Sequence, residues 1–348
     1  MARCVFRDRT EVTDYGRPYF VAEANSSHNG NVETARKMID AAAAIGCDCV
    51  KFQSWSATSL YSATYYADNP IAKRFVDRFS LSPDVLAEMA EYAKEKGLAF
   101  SSTPYSEEEV DFLVDTCKVP FLKVASMELD NLGFLSYIGA KKVPLVLSTG
   151  MGSMEEIRRA VRTLEEAGAE HMVLLHCVSI YPTKVETINL RNIDGLRKEF
   201  PAYPVGFSDH TEGDAASVAA VALGAALIEK HLTLDHTKVG MDNGMATEPE
   251  EFSALVGKCH MVQKGLGSEN RMVYSEEMEQ RKKMRRSIVF THDLPAGYVL
   301  TRDDLCAKRP GTGISPDRIE ALIGTTLKRG VIGDTLLCRE DILEDVGL

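Results

Sequence analysis

The sequence predicts a (β/α)8 barrel followed by a small β-rich module, and three observations carry that prediction. Between residues 20 and 264, short apolar runs alternate with longer amphipathic segments, eight times over. Polar residues gather near the C-terminal ends of the short runs, where a barrel builds its site. After residue 264 the alternation stops and Pro, Gly and short apolar pieces take over. Eight strand-helix units in about 245 residues suit a barrel better than a doubly wound sheet, which usually has fewer strands.

Taken in order, the predicted strands are 20–25, 49–55, 99–104, 121–126, 144–150, 171–177, 205–210 and 227–233. Helices are expected near 32–45, 83–96, 106–116, 131–139, 153–167, 189–199, 213–223 and 249–264. Ser82-Pro83 and Thr247-x-Pro249 have the chemistry of helix starts, and Gly46, Gly97 and Gly168 that of helix stops. The stretch 264–286, with Gly265, Gly267 and a charged run through Arg281-Lys282-Lys283, reads as a solvated connector and not as a nucleic-acid patch. The expected domains are a barrel at 1–270, a linker at 271–286 and a loop-rich β module at 287–348, punctuated by Pro295-Ala296-Gly297 and Arg309-Pro310-Gly311-Thr312-Gly313.

Composition narrows the function classes. Hydrophobic residues make up 45% and charged residues 26% of the 348 positions, ordinary values for a soluble globular chain and not for a disordered or fibrous one. A balance of 40 basic against 51 acidic residues, net −11, argues against coating nucleic acid or an anionic membrane. It leaves room for a small basic pocket. No apolar run approaches the roughly 20 residues of a membrane span, and Arg3, Arg7, Asp8 and Arg9 precede no apolar stretch of a signal peptide, so a cytoplasmic protein is expected. The eight cysteines form no C-x-x-C pair, and Cys47 and Cys177 read as small buried hydrophobes.

At the strand ends stand Glu23 and Asn25, Lys51 and Gln53, Ser102 and Thr103, Lys123 and Ser126, Ser148, His176, Ser208 and His210, and Glu229 and His231. Residues two apart on a strand share a side, so the pairs Glu23/Asn25, Lys51/Gln53, Ser208/His210 and Glu229/His231 can each line one wall of the barrel mouth. Recurring buried charges are costly without partners, which points to a polar ligand. Lys51, Lys123, Ser126, Ser148 and Ser208 offer cations and hydroxyl donors, the complement of a phosphate and a carboxylate. The turn Ser148-Thr149-Gly150-Met151-Gly152-Ser153 opens a helix whose N–H groups could add to the anion site. His210 and His231 end neighbouring strands and could share a labile Mn²⁺ or Mg²⁺, with Asp209 and Glu229 as supporting or charge-balancing groups. His176 is a candidate wall of the site; His171, His236, His260 and His292 read as surface or packing residues.

The segments Ala22-Glu23-Ala24-Asn25-Ser26-Ser27-His28-Asn29-Gly30, Val50-Lys51-Phe52-Gln53, Lys123-Val124-Ala125-Ser126, Leu147-Ser148-Thr149-Gly150-Met151, Gly206-Phe207-Ser208-Asp209-His210 and Glu229-Lys230-His231 together resemble the sialic acid synthase family. Leu294 to Asp304, followed by Lys308-Arg309-Pro310-Gly311-Thr312-Gly313, is similar to the SAF (antifreeze-like) module of those synthases. The resemblance implies condensation of phosphoenolpyruvate with an N-acetylated amino sugar to a nine-carbon 2-keto acid, with release of phosphate. It implies Mn²⁺ or Mg²⁺ on His210 and His231. It implies that Lys51 and Thr103 hold the carboxylate and that Lys123, Ser126, Ser148 and Ser208 hold the phosphate. Glu23, Gln53, Ser179, Tyr181 and Asp242 would face the sugar, with Glu23 also positioning or deprotonating a reacting group. The family's domain-swapped homodimer would bring Arg309 to the sugar's acyl group in trans.

One departure bears on the sugar: where N-acetylneuraminate synthases carry Asn-x-Tyr after the sixth strand, this chain reads Ser179-Ile180-Tyr181. The shorter serine favours a 2,4-diacetamido-trideoxyhexose of the legionaminate type, with N-acetylmannosamine and the pseudaminate precursor as alternatives. An enzyme that makes a 3-deoxy keto acid phosphate would need a second phosphate clamp. A non-catalytic carbohydrate-binding protein is hard to reconcile with the full set of lysines, serines and histidines.

Overall fold

The computed structural model describes residues 2–347 and divides into two compact units, up to Gly267 and from Ser268 onward. In the first, a hairpin of β1 (Arg3–Val5) and β2 (Glu11–Thr13) precedes eight parallel strands. These are β3 (Tyr19–Glu23), β4 (Cys49–Gln53), β5 (Ala99–Thr103), β6 (Leu122–Val124), β7 (Leu145–Ser148), β8 (Met172–Cys177), β9 (Val205–Asp209) and β10 (Leu227–His231). Their order is β5-β4-β3-β10-β9-β8-β7-β6, so the first and last barrel strands pair, Leu227 opposite Tyr19 and His231 opposite Glu23. At the remaining seam, Ser101 Oγ on β5 donates to the Phe121 carbonyl at 2.9 Å, next to β6.

The sixth barrel strand ends at Cys177, as the sequence suggests, and the others end one or two residues earlier, because the chain turns at the mouth toward each helix. The helices begin and end on the chemistry their sequences offer. Asn31 accepts the Thr34 N–H and starts Val32–Ile45, which Gly46 stops at φ 86°, a left-handed conformation that costs glycine little. Ser82 caps Pro83–Glu95, and Ser153 with Glu156 forms a capping box on Met154–Ala167. The helix expected over 106–116 is regular only over Glu107–Asp111 and widens into a π turn over Phe112–Thr116.

Alternation along the strands builds two cores. Phe20, Ala22, Val50, Phe52, Phe100, Leu145, Leu147, Leu174, Phe207 and Ile228 face outward and pack against the helices. Tyr19, Val21, Cys49, Phe121, Val146, Val173, Leu175 and Leu227 face inward and fill the lower barrel. The hairpin, which the sequence did not announce, closes that core with Cys4, Phe6 and Val12, and the Phe6 ring lies 4.5 Å from Phe121 and 5.3 Å from Tyr19. Three further helices, Ala57–Leu60, Ala63–Asp68 and Pro70–Phe79, were also unforeseen; they follow β4 and pack Tyr66, Val76 and Phe79 on Trp55.

In the second unit a helix, Ser275–Met284, forms in the charged run read above as a connector. It has glutamates in its first turn, Arg281, Lys282 and Lys283 in its last, and no buried residue, so dipole complementarity replaces packing as its support. Beyond it, β11 (Ser287–Phe290) pairs antiparallel with β12 (Leu305–Lys308) over a core that includes Ile288, Phe290, Leu322 and Leu337. No described helix is long and apolar enough to cross a membrane.

Phe6→Ala should cost about 3–5 kcal/mol, as removal of a buried aromatic usually does. Denaturant unfolding monitored on the intact chain checks this, and a loss under about 1 kcal/mol would show that the hairpin does not close the barrel.

Candidate active site

Above the inner apolar layer, the same alternation turns polar. Tyr19 and Val21 lead to Glu23, Cys49 to Lys51 and Gln53, Phe121 to Lys123, Val146 to Ser148, and Leu227 to Glu229 and His231, each two residues farther along the strand. These side chains line a cavity of about 250 Å³ with Thr103, Ser126, Ser179, Tyr181, Ser208, His210 and Asp242. The fold therefore brings together fourteen of the site residues singled out from the sequence. Arg309 is an exposed residue of the second unit and not part of this lining.

The cavity floor is a charge lattice. Lys51 forms an ion pair with Glu23, lies 3.7 Å from Glu229 and donates to Thr103 Oγ1 at 3.1 Å. Lys123 donates to Ser148 Oγ at 2.7 Å and lies 3.7 Å from Glu229, whose other neighbour is the Ser208 hydroxyl at 2.9 Å. Burial pushes the Lys51 ammonium down to about 8, even with Glu229 opposing the shift. Burial works the other way on Glu229, but the two lysines hold its carboxyl below the ordinary carboxylate range. Glu23 is fixed by the Asn25 N–H at 2.7 Å, and the Asn25 side chain donates to Asp242 at 2.5 Å. Asn25 does this from a left-handed backbone, φ 40°, which asparagine tolerates better than most residues.

Beside the lattice, at the ends of β9 and β10, the His210 and His231 rings are 5.4 Å apart, and Tyr181 lies 4.3 Å from His210. A carbonyl can only accept, so the 2.9 Å contact from His210 Nδ1 to the Val178 oxygen places a proton on Nδ1, and in the neutral ring the lone pair is on Nε2. Burial lowers this imidazole, but Cys177 and the Val178 carbonyl outweigh it and hold it above its usual value. His231 Nδ1 is buried without a hydrogen-bond partner among the described residues, and burial holds its imidazole well below its usual value, hence neutral. With both rings neutral, one unprotonated nitrogen from each fits a divalent ion that takes the rest of its shell from small molecules. No group of three or more His, Cys, Asp or Glu ligands occurs among the described residues, so a closed structural zinc site is not what they form.

Several expectations need correction, most for one reason: neighbouring residues on a strand face opposite ways. His176 points out of the barrel, where Nε2 meets the Ile188 carbonyl at 2.6 Å and the ring stacks on Phe207. Asp209 also points outward and supports no histidine. It accepts from Thr211, Ser217 and Lys230, the last at 3.0 Å. Ser102 turns away from the cavity to Ser54 Oγ at 2.7 Å. Cys177 is more than a small core residue, since it lines the cavity with Sγ 3.9 Å from His210 Nδ1. The Gly150 turn supplies closeness, not free N–H groups. Its N–H donates to Ser126 Oγ, the following helix caps itself, and a Cβ there would come within 2.4 Å of Ser179 Oγ. The lining residues given no role from sequence are Tyr105, Ala125, Met127 and Met151; each follows a recognised site residue by one to three positions, and their loop paths bring them inward.

Fold and cavity define a barrel enzyme with a small, charged active site. Residues 38–271 match the NeuB family and residues 285–342 match the SAF domain. The chain belongs to the NeuB family, the nonulosonate synthases, and is a transferase-type enzyme. It is 35% identical to the N,N'-diacetyllegionaminic acid synthase of Legionella pneumophila, over 93% of this chain and 94% of that protein. It is 33% identical to the human N-acetylneuraminate-9-phosphate synthase, over 92% of each. The crystal structure of an N-acetylneuraminic acid synthetase from Leptospira borgpetersenii, in complex with citrate, superposes with a TM-score of 0.74 at 28% identity, covering 80% of this chain and 96% of that one.

The outward ion pair carries a stability consequence. Lys230→Ala should cost about 3–5 kcal/mol by leaving the Asp209 carboxylate buried and uncompensated. Urea unfolding of the variant, compared with an Asp209→Ala/Lys230→Met pair that recovers part of the loss, tests it. A penalty near zero would mean the pair is not a structural element.

Proposed function

We propose that the cavity joins phosphoenolpyruvate to the open-chain aldehyde of an N-acylated amino sugar, giving a nine-carbon 2-keto acid and inorganic phosphate. The observation that carries this reading is the floor itself, two buried ammonium groups amid Thr103, Ser126, Ser148 and Ser208 hydroxyls. Lys51 and Thr103 hold the carboxylate; Lys123, Ser126, Ser148 and Ser208 hold the phosphate. Glu23, Gln53, Ser179, Tyr181 and Asp242 face the sugar. C3 of phosphoenolpyruvate attacks the aldehyde carbon, water adds at C2, and the tetrahedral intermediate expels phosphate. Glu23, beside the Lys51 ammonium, positions the reacting groups and is placed to take a proton. Mn²⁺ or Mg²⁺ on His210 and His231 would supply Lewis-acid polarisation of the aldehyde. In a domain-swapped homodimer, the exposed Arg309 reaches the sugar's acyl group in the other chain's cavity.

Among sugars, we favour a 2,4-diacetamido-trideoxyhexose of the legionaminate type. Relatives of similar identity make different nonulosonates, so overall likeness does not choose. Ser179 supports this reading: it is an amide group shorter than asparagine and leaves space for a bulky acylamino group. Phosphate release should require both Mn²⁺ and an amino sugar, vanish in His210→Ala or His231→Ala, and show an Arg309→Ala defect in the sugar's KM. The kcat/KM for the diacetamido sugar should exceed that for N-acetylmannosamine. A preference for N-acetylmannosamine would overturn the sugar assignment, and undiminished turnover of the histidine variants in chelator-treated buffer would overturn the metal.

The depressed Lys51 value gives a pH test. The ammonium is fully present below about 8 and is lost as pH rises through that value, taking with it the charge that holds the carboxylate. Because kcat/KM reports groups of the free enzyme, kcat/KM for phosphoenolpyruvate should fall above pH 8 by up to about tenfold per unit. A flat profile to pH 9.5 would remove Lys51 from that role.

A further inference from the structure

Gln53 reaches the cavity from the end of β4 with its amide already oriented. Its Oε1 lies 2.7 Å from Trp55 Nε1 and 3.3 Å from Tyr105 Oη. An indole nitrogen can only donate, so the atom that faces it is the carbonyl oxygen. The usual ambiguity between the two ends of a glutamine amide is thereby removed, and the NH₂ group is turned the other way. Burial raises the Tyr105 phenol far above its ordinary value, so its hydroxyl keeps the proton it donates.

Both donors are themselves held. Trp55 is 3% exposed, packed on Tyr66, Val76 and Phe79 from the second and third helices that follow β4. The Tyr105 N–H donates to Glu109 Oε2 at 2.7 Å, and the other Glu109 oxygen accepts from Ser59 at 2.6 Å. The insertion at 57–79 thus anchors both groups that fix Gln53.

We propose that Trp55 and Tyr105 are positioning residues that lock Gln53 as a hydrogen-bond donor toward the sugar. The sugar group lying against it is then one that accepts, an acyl carbonyl or a hydroxyl oxygen, and an ammonium at that place is rejected. This rests on the reading of the cavity as a sugar site. A glutamine free to turn over would present its carbonyl half of the time and repel the oxygen it now binds.

The test is a cycle. Trp55→Phe/Tyr105→Phe keeps an aromatic ring at each position and removes both donors. It should raise the sugar's KM about tenfold while the KM for phosphoenolpyruvate stays within about twofold. Placed on Gln53→Ala, the same two changes should leave the sugar's KM where Gln53→Ala alone puts it, because they act through Gln53. Additive losses would overturn the proposal and assign the two aromatics a packing role.

A measurement without substrate separates this proposal from the reading it rests on. The chain has three glutamines, Gln53, Gln263 and Gln280, so side-chain amide resonances of ¹⁵N-glutamine protein are assignable by substitution. In the native chain the Gln53 NH₂ should be rigid on the picosecond to nanosecond scale and should loosen in the double variant. A mobile Gln53 amide in the native protein overturns the lock. A rigid one, in a protein that turns over no amino sugar, leaves the lock standing and refutes the sugar reading.

Discussion

Two lysines and two glutamates share the floor of the barrel mouth, all nearly out of contact with water, and the site exists because they are buried together. Any one alone would carry a desolvation cost of several kcal/mol. Lys51 between Glu23 and Glu229, with Lys123 against Glu229 and Ser148, spreads that cost over four charges and two hydroxyls. The arrangement needs a rigid frame, since an ångström of slack would weaken each contact. Parallel strands in fixed register provide it: Glu23 stands opposite Lys51 across β3 and β4, and opposite His231 across β3 and β10. The Lys51 ammonium, poised near 8, follows from the same burial.

A second buried pair, Asp209 with Lys230, shows how strictly the strand alternation sorts charge. Ser208 and Glu229 enter the cavity, whereas Asp209 and Lys230, one position on, are sealed between sheet and helices with every contact met. The motif Ser208-Asp209-His210 therefore serves two unrelated ends. Its serine and histidine line the cavity and its aspartate is structural. Adjacency in sequence had suggested that Asp209 supports the histidines; side-chain direction, which has a period of two, forbids it.

Loops complete what the strands begin. Asp242 arrives from the segment after β10 and is secured by Asn25, so two acids of the cavity lining, Glu23 and Asp242, hang from one asparagine. Trp55 and Tyr105 come from segments after β4 and β5, and their donors meet on one oxygen of Gln53. The charge lattice comes from the barrel strands, and the groups that secure its rim come from the loops.

The sequence by itself determined the barrel, because eight repeats of apolar run and amphipathic segment have few other ways to bury themselves, and it placed Lys51, Lys123, Ser148, His210 and His231 at strand ends by simple position. It also named most of the cavity, since polar residues in inward register are expensive to bury without purpose. Tertiary structure decided which polar residue of each neighbouring pair looks inward, turning His176, Asp209 and Ser102 away and Cys177 in. It decided that a hairpin with Phe6 plugs the barrel floor, that helices fold in the insertion after β4, and that Trp55 and Tyr105 orient Gln53. Those outcomes depend on strand register, on loop paths and on contacts between residues about 50 or more positions apart, such as Gln53 with Tyr105 or Asn25 with Asp242. Local pattern carries no record of such distances; only the closed barrel brings the partners within hydrogen-bond reach.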